Sequence, residues 1–198
     1  MRNNWLLYII GCFILLSSLL CSSQIVEKSA MLSDYALELT EQRVTYDPSY
    51  FSIKYPNGDV PSDKGVCTDV IIRAYRKLDI DLQKEVHEDM KSNFGAYPKN
   101  WGLTTTDKNI DHRRVPNLMT FFERHGETKP NSRITTDYLP GDVVCWSLDH
   151  GLTHIGIVVD KKSKDRKRNL IVHNIGAGQV VEDMLFDFKV IGNYRYKQ

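Results

Sequence analysis

The chain has 198 residues, 41% of them apolar and 26% charged, with a formal net charge of +1. That length and composition suit one globular domain with a substantial core and exclude a disordered or collagen-like chain. A balance so close to zero offers no global field for gathering nucleic acid or anionic membrane, and the sequence holds no nucleic-acid motif or phosphate-binding glycine loop.

The first 23 residues stand apart. They contain Arg2, no acid, and an almost unbroken apolar run from Trp5 to Cys21 that ends in the small residues Ser22 and Ser23. A cationic start, an apolar middle and a small-residue end make a secretory signal peptide. Residues 1–23 are therefore expected to direct export, and residues 24–198 to form a single, monomeric domain in the periplasm or cell envelope. A retained anchor and a lipid-modified Cys21 are the alternative fates of the segment, and membrane contact is expected through it alone. Its removal takes away one Arg and no acid, so the formal charge falls from +1 to 0.

Of the four cysteines, Cys12 and Cys21 lie in the export segment, which leaves Cys67 and Cys145. One bridge between them is not needed to stabilise a domain of this size, and the pattern is not a disulfide framework.

Met31, Tyr35 and Leu39 recur every four residues and predict a surface helix with one apolar stripe. From Tyr46 to Gly65, three prolines and two glycines predict a loop with one short strand. The next helix is the clearest in the chain. Ile71, Ala74, Tyr75 and Leu78 follow helical spacing, and Cys67 lies one turn before Ile71 on the same face. A second irregular stretch, from Asn93 to Arg114, is rich in Trp, Tyr and His, and loops so long inside compact domains usually carry function. Pro116 opens a further helix and Gly126 closes it.

The remainder reads as strand. Gly141–Leu148, Thr153–Asp160, Asn169–Gly176 and Val190–Tyr196 are short β-branched runs bounded by turn residues. The segment Lys161 to Arg168, with six basic residues and one acid, predicts a solvated hairpin tip; contact with an anionic polymer is its functional alternative. Helices first and an antiparallel meander second make an α+β domain, with the Cys67 helix packed across the sheet.

A cysteine at a helix N-terminus meets unpaired N–H groups and the positive dipole end, which favour the thiolate. An inert buried thiol fits the same position. His154 shares a strand face with Gly156 and Val158, opposite to Ile155, Ile157 and Val159. An antiparallel partner strand brings His173 beside it. A thiol, an imidazole and a second polar group are the parts of a nucleophile, base and orienter. Zinc is the competing reading, through His150, His154, Cys145, Asp149 and His173. Four residues of strand span about 13 Å, too far for two histidines to share one ion without a turn.

Cys67 at a helix start, then "GD-V--W", "HIGIVV" and a "VH" one strand later, resemble the NlpC-type hydrolases of the papain-like clan. More specifically, "YDPSY", "GVCTDVIIRAYRKLDIDLQKEVHEDM", "NIDHRRVPNL" and "VHNIGAG" are similar to a bacterial exported family catalogued as domain of unknown function 1287. The clan resemblance implies a papain-like fold with N-terminal helices on a C-terminal antiparallel sheet. It implies a cysteine peptidase or amidase that forms an acyl-enzyme on Cys67, with His154 as base and His173 as orienter. Asn174 is held in reserve for the third role, and Tyr55 is the expected helper at the oxyanion site. Trp101, His112, Arg113 and Arg114 are expected to wall the cleft and bind substrate. The implied partner is peptidoglycan or a peptide in a bacterial envelope, with no metal and no cofactor.

The sequence departs from the clan where Val66 precedes and Thr68 follows the cysteine. An inactive envelope-binding module and an acyltransferase or thioesterase on the same scaffold are the alternative functions.

Overall fold

The structure, a computed structural model, describes residues 29–197. The segment expected to direct export, with Cys12 and Cys21, lies outside the described residues. No helix among the described residues is long and apolar enough to cross a membrane.

Helix α1 covers residues 29–39 and buries Leu32, Ala36 and Leu39. Its stripe is rotated from the expected one, since Met31 is exposed and Tyr35 half-buried. Leu32 and Ala36 keep the four-residue spacing one position on, so periodicity alone did not fix which side faces inward.

Two short strands, β1 (Thr45–Tyr46) and β2 (Lys64–Gly65), pair in parallel, with Tyr46 opposite Gly65. Helix α2 (Cys67–Arg76) follows at once and buries every residue from Cys67 to Tyr75. Helix α3 (Leu82–Ser92) is an addition to the expected elements; Asp81 caps it by accepting the Lys84 N–H. The long stretch that follows is organised by short 3₁₀ turns at Phe94–Ala96, Asn100–Gly102 and Asp111–Arg113. It is tied to α3, where His87 Nδ1 meets Asp111 Oδ2 at 2.9 Å and Gln83 Nε2 donates to Lys108 O. Helix α4 (Val115–His125) has Pro116 in its first turn and stops at Gly126, as predicted.

The sheet is wholly antiparallel and has six strands in the order β3-β8-β4-β5-β6-β7. They are β3 (Glu127–Thr128), β4 (Val143–Ser147), β5 (Thr153–Lys162), β6 (Asn169–His173), β7 (Val180–Glu182) and β8 (Lys189–Arg195). The basic segment turns between β5 and β6, where the Ser163 N–H donates to Arg168 O. Helices on one side of an antiparallel sheet give the α+β fold that the sequence predicts.

Alternation divides the core into two. On the α2 side, Val143, Cys145, Ile155, Ile157 and Val172 pack against Cys67, Ile71 and Phe122. On the other side, Val144, Trp146, Val158 and Ile171 pack under Tyr138, Met184 and Leu185. Trp146 Nε1 donates to Leu185 O at 2.9 Å and holds that covering loop down. Gly156 allows β5 and β6 to come close, since a Cβ there would stand 2.6 Å from Ile171 Cγ2.

Candidate active site

Cys67 opens α2 on the floor of a cleft of about 340 Å³, and its side of the helix is fixed from three directions. Asp69 accepts the Val66 N–H at 2.7 Å, a carboxylate closing the first turn. Arg113 grips Asp69 through Nε and Nη2 at 2.9 and 3.0 Å, and Thr68 Oγ1 donates to Arg113 O. Arg73, one turn further on, donates to Lys64 O and Pro61 O and anchors β2. The Thr68-Asp69 pair thus binds the Cys67 turn to the 111–114 loop.

The backbone amides of Ile155, Thr68 and Cys67 itself favour the Cys67 thiolate. Burial nevertheless outweighs them and pushes the thiol up to about 12. The helix N-terminus therefore does not produce the resting thiolate that its position suggests. Cys145 is a second free thiol in the α2-side core, raised well above its ordinary value by burial and by Cys67.

His154 and His173 lie on the opposite face, across β5 and β6. Their rings meet edge-on with centroids 5.1 Å apart, and His154 Nε2 is 3.1 Å from His173 Nδ1. His173 Nε2 is in turn 3.1 Å from Glu182 Oε2 on β7. An ionised Glu182 can only accept, so His173 carries its proton on Nε2 and presents a bare Nδ1. His154 must then donate from Nε2, which leaves its own Nδ1 as a free lone pair. Burial holds His154 down at about 3, with His173 adding to the effect, so the ring is neutral.

The thiol lies on the α2 side of the sheet and the His154 ring on the Trp146 side. No hydrogen bond joins the thiol to either imidazole among the described residues. Neither imidazole lines the cleft; Thr153, at the start of β5, does.

The other expected site residues divide. Trp101, Arg113 and Arg114 line the cleft with Cys67. His112 does not: it is turned into the core, and burial lowers it to about 3. Tyr55 is also elsewhere, its hydroxyl 3.4 Å from Glu88 Oε1 and its ring against His87. The tyrosine at the cleft is Tyr46, on whose phenol Cys67, Arg113 and Asp69 act. The parallel pairing of Tyr46 with Gly65 puts it there, whereas Tyr55 sits in the excursion between β1 and β2. Asn174 is a brace and no partner of His154: its Nδ2 donates to Gly65 O and its Oδ1 accepts the Gly176 N–H. Tyr46 and Glu182 were absent from the expected site. "YDPSY" contains the first, and the second needed the β6–β7 register.

This architecture is that of the NlpC-like α+β folds. An N-acetylmuramoyl-L-alanine amidase from Bacteroides uniformis shares it with a TM-score of 0.50 and 14% identity, over 87% of this chain and 100% of that one. NlpC1 from Trichomonas vaginalis aligns with a TM-score of 0.47 and 15% identity, over 85% of this chain and 44% of its own. The chain belongs to the family described as Domain of unknown function (DUF1287), whose sequence profile matches residues 33–196. A relative from Escherichia coli (strain K12), "Uncharacterized protein YijF", is 52% identical over 165 residues, 83% of this chain and 80% of the relative.

Proposed function

We propose that the protein is an exported cysteine hydrolase of the bacterial periplasm or envelope, cleaving amide bonds in peptidoglycan stem peptides. The observation that carries the reading is the seat of Cys67 in the cleft, with the hydrogen-bonded row His154–His173–Glu182 on the strands beside it. To this we add, as an extension, the amide-bond chemistry named for the Bacteroides protein of the same fold.

In the proposed reaction the start of β5 turns the His154 ring to the Cys67 face, and the thiol proton passes to its Nδ1 as sulfur attacks the carbonyl carbon. The backbone N–H of Cys67 and the Tyr46 hydroxyl face the developing oxyanion. Collapse returns the proton from His154 to the leaving nitrogen and leaves a thioester on Cys67. Water, deprotonated by His154, then releases the acid and restores the thiol. His173 and Glu182 hold the imidazole in the tautomer these transfers need.

Incubation with purified peptidoglycan, followed by mass analysis of released fragments, tests the reading. New fragments should appear with the intact protein and vanish with Cys67→Ala at unchanged thermal stability. A Cys67→Ala protein that releases the same fragments would falsify it.

A second reading, an inactive envelope-binding module, draws on the absent thiol–imidazole bond and the thiol pushed up to about 12. It expects saturable binding to peptidoglycan with no fragments from any wall type.

A further inference from the structure

The charge lining the Cys67 cleft is unbalanced. Two arginines line it and no Asp or Glu does. Arg113 is already neutralised, with Nε and Nη2 donating to the two oxygens of Asp69 and Nη1 to Ser49 O. Its neighbour Arg114 is held differently. Its guanidinium carbon sits 4.3 Å from the centre of the Trp101 ring, and its Nη1 is buried without a hydrogen-bond partner.

A guanidinium fixed on an aromatic face keeps its fork of donors free and preorganised for a planar anion. We propose that Arg114, seated on Trp101, is a carboxylate-binding subsite of the cleft, and that the substrate carries a free carboxylate close to the scissile amide. This deepens the hydrolase reading and rests on it for the scissile bond.

The rest of the wall narrows the ligand. Trp101 and Leu152 are 65% and 63% exposed and offer large apolar surface at the rim, joined by Pro48 and Pro116. No second unpaired charge lines the cleft, because Arg113 is satisfied. The fitting ligand is therefore one carboxylate on an otherwise uncharged peptide segment. A chain-terminal and a side-chain carboxylate share that chemistry, and the test separates them.

The full chain carrying Cys67→Ala is titrated by calorimetry with three probes. N-acetyl-alanyl-glutamine has only a terminal carboxylate, N-acetyl-alanyl-glutamate amide only a side-chain one, and N-acetyl-alanyl-glutamine amide has neither. Each is used with either configuration at its last residue, and inorganic phosphate is titrated beside them. One carboxylate probe should bind at least about tenfold tighter than the neutral probe, and Arg114→Gln should reduce that preference below about threefold. Equal binding of the three, no saturable binding of any, a preference that survives Arg114→Gln, or phosphate binding as tightly as the best peptide each overturns the subsite. Should Arg114→Gln lose its fold, Trp101→Leu at the exposed platform is expected to weaken the same preference, and an unchanged preference overturns it equally. None of these measurements needs turnover. The stated preference in a protein that releases no wall fragments would leave the subsite standing and remove the hydrolase.

Discussion

Glu182, on β7, reaches to 3.1 Å from Nε2 of the buried His173, whose Nδ1 faces His154. The carboxylate thus sets the protonation pattern of two rings without approaching the thiol. Glu182→Ala frees both tautomers, and fragment release should slow by about 10-fold to 100-fold, the scale of a general base used in the wrong form. KM should change little, because the loss falls on the chemical step. Glu182→Gln keeps a carbonyl acceptor for the His173 N–H and should retain most of the rate. Equal loss in both variants would indicate a structural role instead.

Burial, and not the helix N-terminus, governs the Cys67 thiol. At pH 7.5 iodoacetamide should alkylate Cys67 at least about tenfold more slowly than free cysteine, whose thiolate fraction is larger. Mass spectrometry of the labelled chain locates the adduct. Rapid labelling of Cys67 would mean that a thiolate already exists at rest. Electrophile labelling therefore does not separate an enzyme from a binding module here; turnover does.

Acid should destabilise the fold through its buried imidazoles. Burial lowers His112 and His154 to about 3, below the ordinary 6.5, and lowers His173 as well. Between those values the unfolded chain binds protons that the native state refuses, so stability rises with pH in that window and falls on acidification from 6.5 toward 3. Each such histidine contributes a slope of about 1.4 kcal/mol per pH unit. His112→Phe, outside the cleft, should flatten the urea-midpoint profile between pH 4 and 6 by about one proton's slope while sparing activity. Cys67 works in the other direction: its folded value is raised from 9.0 to about 12, so its contribution is lost as pH rises above 9.

Asp69 and Arg113 are both buried, and each is the other's charge partner. Removing one leaves the other uncompensated. Asp69→Asn should cost about 3–5 kcal/mol in urea unfolding, as for other broken buried pairs. The double variant Asp69→Asn with Arg113→Met should cost less than Asp69→Asn alone, which a double-mutant cycle measures.

Much of this was legible because the patterns were strong. The strands β4, β5, β6 and β8 and the helix after Cys67 show alternation or helical spacing over whole elements. Helix α3 escaped because its buried residues Leu82, Val86 and Met90 form a narrow stripe among charges. Strand β7 has three residues, too few for any period to register. The pairing of His154 with His173 followed from adjacent antiparallel strands, but Glu182 depends on which residue of β7 stands opposite Ile171. Tyr46 and Tyr55 are both tyrosines upstream of the cysteine. Only the pairing of Tyr46 with Gly65, between two strands of two residues each, tells them apart.

A protonated thiol that is only 8% exposed is also a thiol that oxidants pass over. Sulfenic acid formation follows thiolate character and access, and Cys67 has little of either at rest. The sulfur is armed, in the proposed reaction, by the carbonyl and the base meeting it at once. Aerobic storage should then leave two titratable thiols per described domain, Cys67 and Cys145, with no reductant present. The depth that makes this cysteine a slow nucleophile toward chance electrophiles is what lets it last in air.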